Sequence, residues 1–257
     1  MWRTVLCISI ALLLAFVSLA QSPTGVIRLR ARVKVGQSTK GLPRKRFFLI
    51  KGSLEQNKDL VAAIERQAFE SRDCYYRGAG ASEALVRWMK ESDCESVYCR
   101  EIAPGDVDGP SAVPEFQLAM ATGEKEYGSR DLARKWLTVN LPESIRDGFY
   151  RKRQKELQTL IKQAETTSGG SVLSVMGDRN GTAYFTELEP GAYVISSLLP
   201  VEVGESSVTW NCGIQVKPGD LATERPYLIS NRPDRNVKCV GIEKPLPACG
   251  TVPNAGR

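Results

Sequence analysis

At 257 residues, with 42% hydrophobic and 25% charged side chains and a formal net charge of +6, the chain is an ordinary globular polypeptide, not a disordered or collagen-like one. It contains no histidine, which removes the Ser-His-Asp triad, the Cys-His pair and every histidine-based zinc site in one step. Carboxylates, lysine, tyrosine, serine and thiolates are the groups left for chemistry.

Arg3 precedes an apolar run from Val5 to Val17, and Ser18-Leu19-Ala20 sets small residues where a signal peptidase reads. Residues 1–20 therefore read as a secretory signal cut before Gln21, and the competing reading is a retained anchor. The run is shorter than the roughly 20 residues a spanning helix needs. Beyond Cys7 inside the signal, Cys74, Cys94, Cys99, Cys212, Cys239 and Cys249 form an even set suited to an oxidising compartment. Three lie mid-chain and three near the end, so full pairing needs at least one bridge between the groups. No tight C-x-x-C spacing supports a metal site instead. The expected location is periplasm, envelope or extracellular space.

The first element, VIRLRARVKV at 26–35, alternates strictly and predicts a strand with one apolar face. Its other face is a cation ladder of Arg28, Arg30, Arg32 and Lys34. Such a ladder can attract an anionic lipid, a glycan or an acidic partner, or can simply keep a sheet soluble and its edge unpaired. Gly41-Leu42-Pro43 turns the chain into a second strand starting at Arg46.

Ser53 and Gln56 form a capping-box signal before a helix over 54–69 with an apolar stripe at Leu60, Val61, Ile64 and Ala68. A second helix is expected over 82–89, with Leu85 and Trp88. Residues 104–114 read as a loop, where Asp106 and Asp108 lack the remaining ligands of a calcium loop. Helical signals return over 115–121 and over 131–139, where Leu132, Trp136 and Leu137 share a face. The longest helix starts near Asn140 and carries Ile145, Phe149, Leu157, Leu160, Ile161 and Ala164 on one side. Arg151, Lys152, Arg153, Lys155 and Lys162, mixed with Glu156, read as its solvated side. After a Thr/Ser/Gly linker at 166–170 the period returns to two. Strands are expected over 26–35, 46–51, 172–176, 182–187, 192–198, 207–216 and 224–230, then a tail held by bridges.

Asp178, Gly181, Phe185, Leu188, Pro190, Gly191 and Tyr193 spell D-x-x-G-x-x-x-F-x-x-L-x-P-G-x-Y. This resembles the hallmark of carboxypeptidase regulatory-like and Cna protein B-type domains. Gly41-Leu42-Pro43 resembles the family's turn before the second strand, and Val216-Lys217-Pro218-Gly219 its turn before the last. The resemblance implies a prealbumin-like, seven-stranded Greek-key β-sandwich. In the family the second and third strands are close in sequence, so the intervening residues 53–169 read as an inserted α-helical subdomain and the whole as an α+β protein. The expected organisation, from the residues and the resemblance together, is a signal at 1–20, a discontinuous sandwich from 21–52 plus 170–232, a helical insertion at 53–169, and a Cys/Pro-rich tail at 233–257. Some B-type domains form a Lys–Asn isopeptide. Here Lys34 and Asn231 are its nearest candidates, but Lys34 falls on the charged face and no acid lies inward.

The leading functional expectation is an exported, non-enzymatic envelope or periplasmic module whose insertion recognises another envelope protein or a glycan. A rival is a glycan hydrolase using a carboxylate pair among Glu65, Glu70, Glu83 and Glu91, although their pattern places them on exposed helix faces. A third reading is a basic module docking on anionic membrane or cell-wall polymer through Arg28 to Lys34. No cofactor or metal is expected, and export argues against nucleic acid.

Overall fold

The computed structural model describes residues 24–217 and 226–250. The signal segment, its cleavage point, Pro218-Gly219 and the start of the expected 224–230 strand lie outside the described residues. The strands, in chain order, are β1 (Gly25–Val35), β2 (Ser38–Gly41), β3 (Arg46–Lys51), β4 (Leu173–Met176), β5 (Thr182–Leu188) and β6 (Gly191–Ser196). They continue with β7 (Val201–Val203), β8 (Ser206–Thr209), β9 (Asn211–Val216), β10 (Tyr227–Ser230), β11 (Cys239–Val240) and β12 (Ile242–Pro245). The helices are α1 (Lys58–Arg66), α2 (Arg72–Gly78), α3 (Glu83–Glu91), α4 (Pro104–Asp108), α5 (Pro114–Tyr127), α6 (Arg130–Lys135) and α7 (Phe149–Ser168). The chain is thus a mixed α+β protein, and it divides into two units.

Among the described residues, the first unit comprises 24–58, 165–197, 210–217 and 226–242. One sheet runs β11-β10-β1-β2 with β5 also on β1, and the other runs β4-β3-β6-β9. The alternation in β1 buries Ile27, Leu29, Ala31 and Val33 while the cations between them stay outward. β5 pairs antiparallel with β1, setting Ala183 opposite Leu29 and Phe185 opposite Ile27. β10 runs parallel to β1, with Ile229 beside Ala31. Two links join the two sheets. Trp210, immediately before β9 and edge-on to Phe47 of β3 at 6.0 Å, donates from Nε1 to the Ser230 carbonyl of β10 at 2.9 Å, and Cys212 in β9 is bonded to Cys239 in β11. The arrangement is sandwich-like.

The expected strand over 207–216 is in fact two strands, β8 and β9, which belong to different sheets. The break falls at the fully buried Trp210, whose N–H donates to Ser197 Oγ and whose carbonyl accepts from the Ser197 N–H. Backbone pairing thus keeps the chain beside β6 from Trp210 onward, while β8 pairs with β7.

Among the described residues, the second unit comprises 59–164, 198–209 and 243–250. Its helical core gathers Tyr76, Leu85, Trp88, Met89, Phe116 and Phe149. The Trp88 and Phe116 rings meet at 5.1 Å nearly at right angles, and Tyr75 packs on Phe149 at 5.5 Å. Strands β12-β8-β7 add a small sheet. Cys74–Cys249 ties the middle of the chain to its end, and Cys94–Cys99 closes a short loop.

Local departures from the sequence expectations have local causes. The Ser53/Gln56 box forms reciprocally, with Ser53 N–H to Gln56 Oε1 at 2.7 Å and Gln56 N–H to Ser53 Oγ at 3.2 Å, yet it closes a turn and α1 begins at Lys58. The expected loop over 104–114 starts with helix α4, because Pro104 suits a first turn and Asp106 accepts from the Ala103 N–H at 2.8 Å. The expected helix over 131–139 breaks at Trp136 into a 3₁₀ turn over Leu137–Asn140. Leu137 is buried, but Leu132 and Trp136 stay exposed at 46% and 48%, so they do not share a core face.

Candidate functional site

The helical unit holds a cavity of about 520 Å³. One wall is the segment after α3, where the Cys94–Cys99 bridge closes the 3₁₀ turn Val97–Cys99. Val97 points into the core while Tyr98 stands 58% exposed at the rim. Beyond the turn, Arg100 lines the cavity with its guanidinium 4.1 Å above the Trp88 ring. Stacking on an aromatic face and a 3.7 Å contact to Glu91 fix that cation in place. The opposite wall comes from α6 and the turn after it, through Asp131, Arg134, Lys135 and Thr138. Lys135 Nζ sits 5.9 Å from the Trp136 ring centre.

A tyrosine at the rim and an ordered arginine are side chains that protein interfaces favour. Leu132, Trp136 and Val139, all about half exposed, lie on the α6 wall segment or beside it. In the sequence Leu132, Trp136 and Leu137 read only as a helix face, and Tyr98, Arg100, Arg134 and Lys135 did not stand out. The available signal was the spacing of Cys94 and Cys99, which staples a tyrosine into a five-residue loop.

A second polar feature of this unit is structural. Arg72 is 5% exposed and reaches Asp73 at 3.3 Å, Asp93 at 3.3 Å and Glu202 at 3.6 Å. Its own N–H donates to Glu202 Oε1 at 2.6 Å. Burial pushes the Glu202 carboxyl above its ordinary range, opposed by the charge and N–H of Arg72.

Three of the four glutamates considered for hydrolysis hold cations with their carboxylates. Glu83 forms a two-point pair with Arg77 at 2.7 and 3.0 Å, which holds its carboxyl below the usual range. Glu70 pairs with Lys152 at 2.5 Å, and Glu91 with Arg100. The Glu65 carbonyl accepts from Lys244. A smaller cavity of about 270 Å³ does bring Glu91 and Asp106 to one lining. Asp106 is committed there as the cap of α4. Among the described residues, no group of three or more Cys, Asp or Glu is placed to hold a metal ion. No described helix is long and apolar enough to cross a membrane.

The hallmark residues shape the first unit. Asp178 accepts from the Asn180 and Thr182 N–H groups, both at 2.8 Å, and these bonds keep its carboxyl below the usual range. Gly181 takes φ +73°, where an added Cβ would lie 2.3 Å from the Ala31 carbonyl oxygen. Phe185 and Leu188 are buried, Pro190-Gly191 turns the chain, and Tyr193 Oη donates to the Glu189 carbonyl at 2.9 Å. Arg28, Arg30 and Arg32 are half-buried on the outer face of β1, and Lys34 is exposed. The Asn231 amide, buried, bonds the backbone of Lys34 on both sides.

No protein-family model matches the chain, and no curated protein is recognisably similar to it in sequence. Among solved structures, a Pseudomonas aeruginosa protein assigned to carbohydrate binding aligns at 13% identity and a TM-score of 0.28, over 84% of this chain and 93% of that one. The pilus backbone RrgB of Streptococcus pneumoniae aligns at 9% identity and a TM-score of 0.23, over 75% of this chain and 34% of that one.

Proposed function

We propose that the chain is an exported, non-enzymatic module of the cell envelope. A Greek-key sandwich of seven strands from 21–52 plus 170–232 is its scaffold, and the helical insertion at 53–169 carries recognition of another envelope protein or of a glycan. The tail at 233–257 is tied to the insertion by Cys74–Cys249. The observation behind this reading is the 520 Å³ groove of the helical unit, edged by exposed Tyr98 and the cations Arg100, Arg134 and Lys135. The pairing of the Glu70, Glu83 and Glu91 carboxylates with cations favours binding over hydrolysis, because a glycosidase needs a free acid facing a free base.

A photo-activated cross-linker placed at Tyr98 should capture one discrete partner in intact envelopes, and one at the exposed Lys125 of α5 should not. Equal capture from both positions, or none from Tyr98, overturns the assignment of recognition to this groove.

A further inference from the structure

We propose that the outer face of β1 is a binding strip for a linear anionic polysaccharide carrying carboxylate or sulfate groups. The strip belongs to the sandwich unit and is independent of the helical groove.

Arg28, Arg30, Arg32 and Lys34 project from one side of a single strand, so neighbouring cations stand roughly 6.7 Å apart and the row extends roughly 20 Å. A row of that length fits a chain of repeated charges better than one small anion. Among the described residues, none of the four cations has a carboxylate within ion-pair distance. Arg30 acts on Asp178 through its charge without an ion pair between them, the Asp178 carboxylate accepting from two backbone N–H groups. The ladder therefore keeps its positive field for a partner.

The arginine stems lie against the sheet, with the Nε of Arg28 and of Arg30 enclosed and lacking a hydrogen-bond partner among the described residues. Stems already ordered by burial lose less rotamer freedom when a ligand arrives. Their guanidinium ends offer the planar fork that matches carboxylate and sulfate oxygens. Directly across the ladder from Arg28 stands Tyr184, 49% exposed, which adds an apolar ring with a polar tip at the strip's edge. Thr182 faces Arg30 in the same register. A membrane surface is a poorer match, because docking there takes apolar side chains that insert, and the outward positions of β1 from Arg28 to Lys34 are all cations.

The test is titration of the full-length protein with polygalacturonate, with neutral dextran and vesicles of anionic phosphatidylglycerol as parallel arms. The expected result is saturable binding to polygalacturonate and none to dextran, weakening steeply between about 0.01 M and about 0.1 M salt as the screening length falls from ~30 to ~10 Å. The double variant Arg28→Gln, Arg30→Gln should bind about tenfold more weakly, a change of ~1.4 kcal/mol. If that variant unfolds at lower temperature, the exposed-site variants Tyr184→Ala and Lys34→Gln carry the test, each with a severalfold loss expected. Binding to dextran, binding to vesicles alone, insensitivity to salt, or no loss in any of these variants would overturn the proposal.

Discussion

The backbone of Lys34 is clasped by the side chain of Asn231. Asn231 Oδ1 accepts from the Lys34 N–H at 2.8 Å, and Asn231 Nδ2 donates to the Lys34 carbonyl at 3.0 Å. The registered pairs of β10 with β1 run from Leu29 to Ala31, so the amide continues the ladder past its last partner. It also places the Asn231 amide on the backbone of Lys34, while the exposed lysine side chain points along the cation face.

Asn231→Ala removes a donor and an acceptor together. Leaving those backbone groups unmatched should cost about 1–3 kcal/mol, read as a lower urea midpoint at unchanged slope. Asn231→Asp sets a second acceptor against the Lys34 carbonyl and buries a charge, and should lose at least as much. Equal stability of Asn231→Ala and the parent would contradict the clasp.

Gly181→Ala sets a left-handed residue against a backbone oxygen. With φ at +73° and the Ala31 carbonyl 2.3 Å from the new Cβ, the hairpin must shift. The loss should exceed the ~1–2 kcal/mol of the left-handed conformation alone, because the Ala31 N–H also donates to the Gly181 carbonyl at 2.8 Å. Thermal unfolding of the variant checks it.

The two bridges of the helical unit should differ in weight. Cys74–Cys249 spans 175 residues and Cys94–Cys99 spans 5. In the chain-entropy account the first is worth about 5 kcal/mol and the second about 2. Serine pairs at each site, compared by denaturant unfolding, should rank in that order. Loss of Cys94–Cys99 should weaken partner capture at Tyr98 more than it lowers stability.

Glu202 supplies a pH signature. Its folded pKa is raised above the ordinary value by burial, so the folded state holds its proton more tightly than the unfolded chain. The resulting stabilisation is fully present below the unfolded pKa and is lost as pH rises through the folded one. Subtracting the stability of Glu202→Gln from that of the parent should give a difference that falls as pH climbs from about 4.5. A difference that rises over that interval would mean that Arg72 outweighs burial.

Much of the sandwich unit could be read from local pattern. Strict alternation from Val26 to Val35 specified which side of β1 is buried, and the turn residues from Asp178 to Gly191 placed β5 and β6. Such features depend on neighbours in the chain: a period of two, a left-handed glycine, a side chain bonding two residues on. The split at Trp210 was illegible because it depends on Ser197 and Ser230, distant in sequence.

The groove was less visible still. Leu132, Trp136 and Leu137 make a good helical stripe on paper, but the turn after Lys135 tightens and leaves two of them outside. Parity of the cysteines required one bridge from the middle of the chain to its end, and only packing selected Cys74 with Cys249. By itself, then, the sequence determined the periodic strands, the hallmark hairpin, the absence of histidine chemistry and the need for a long-range bridge. Tertiary structure decided which cysteine takes that bridge, which glutamates meet cations, and that Tyr98, Arg134 and Lys135 line one cavity. Those are relations between segments far apart in the chain, set by how side chains fill space, and no local period encodes them.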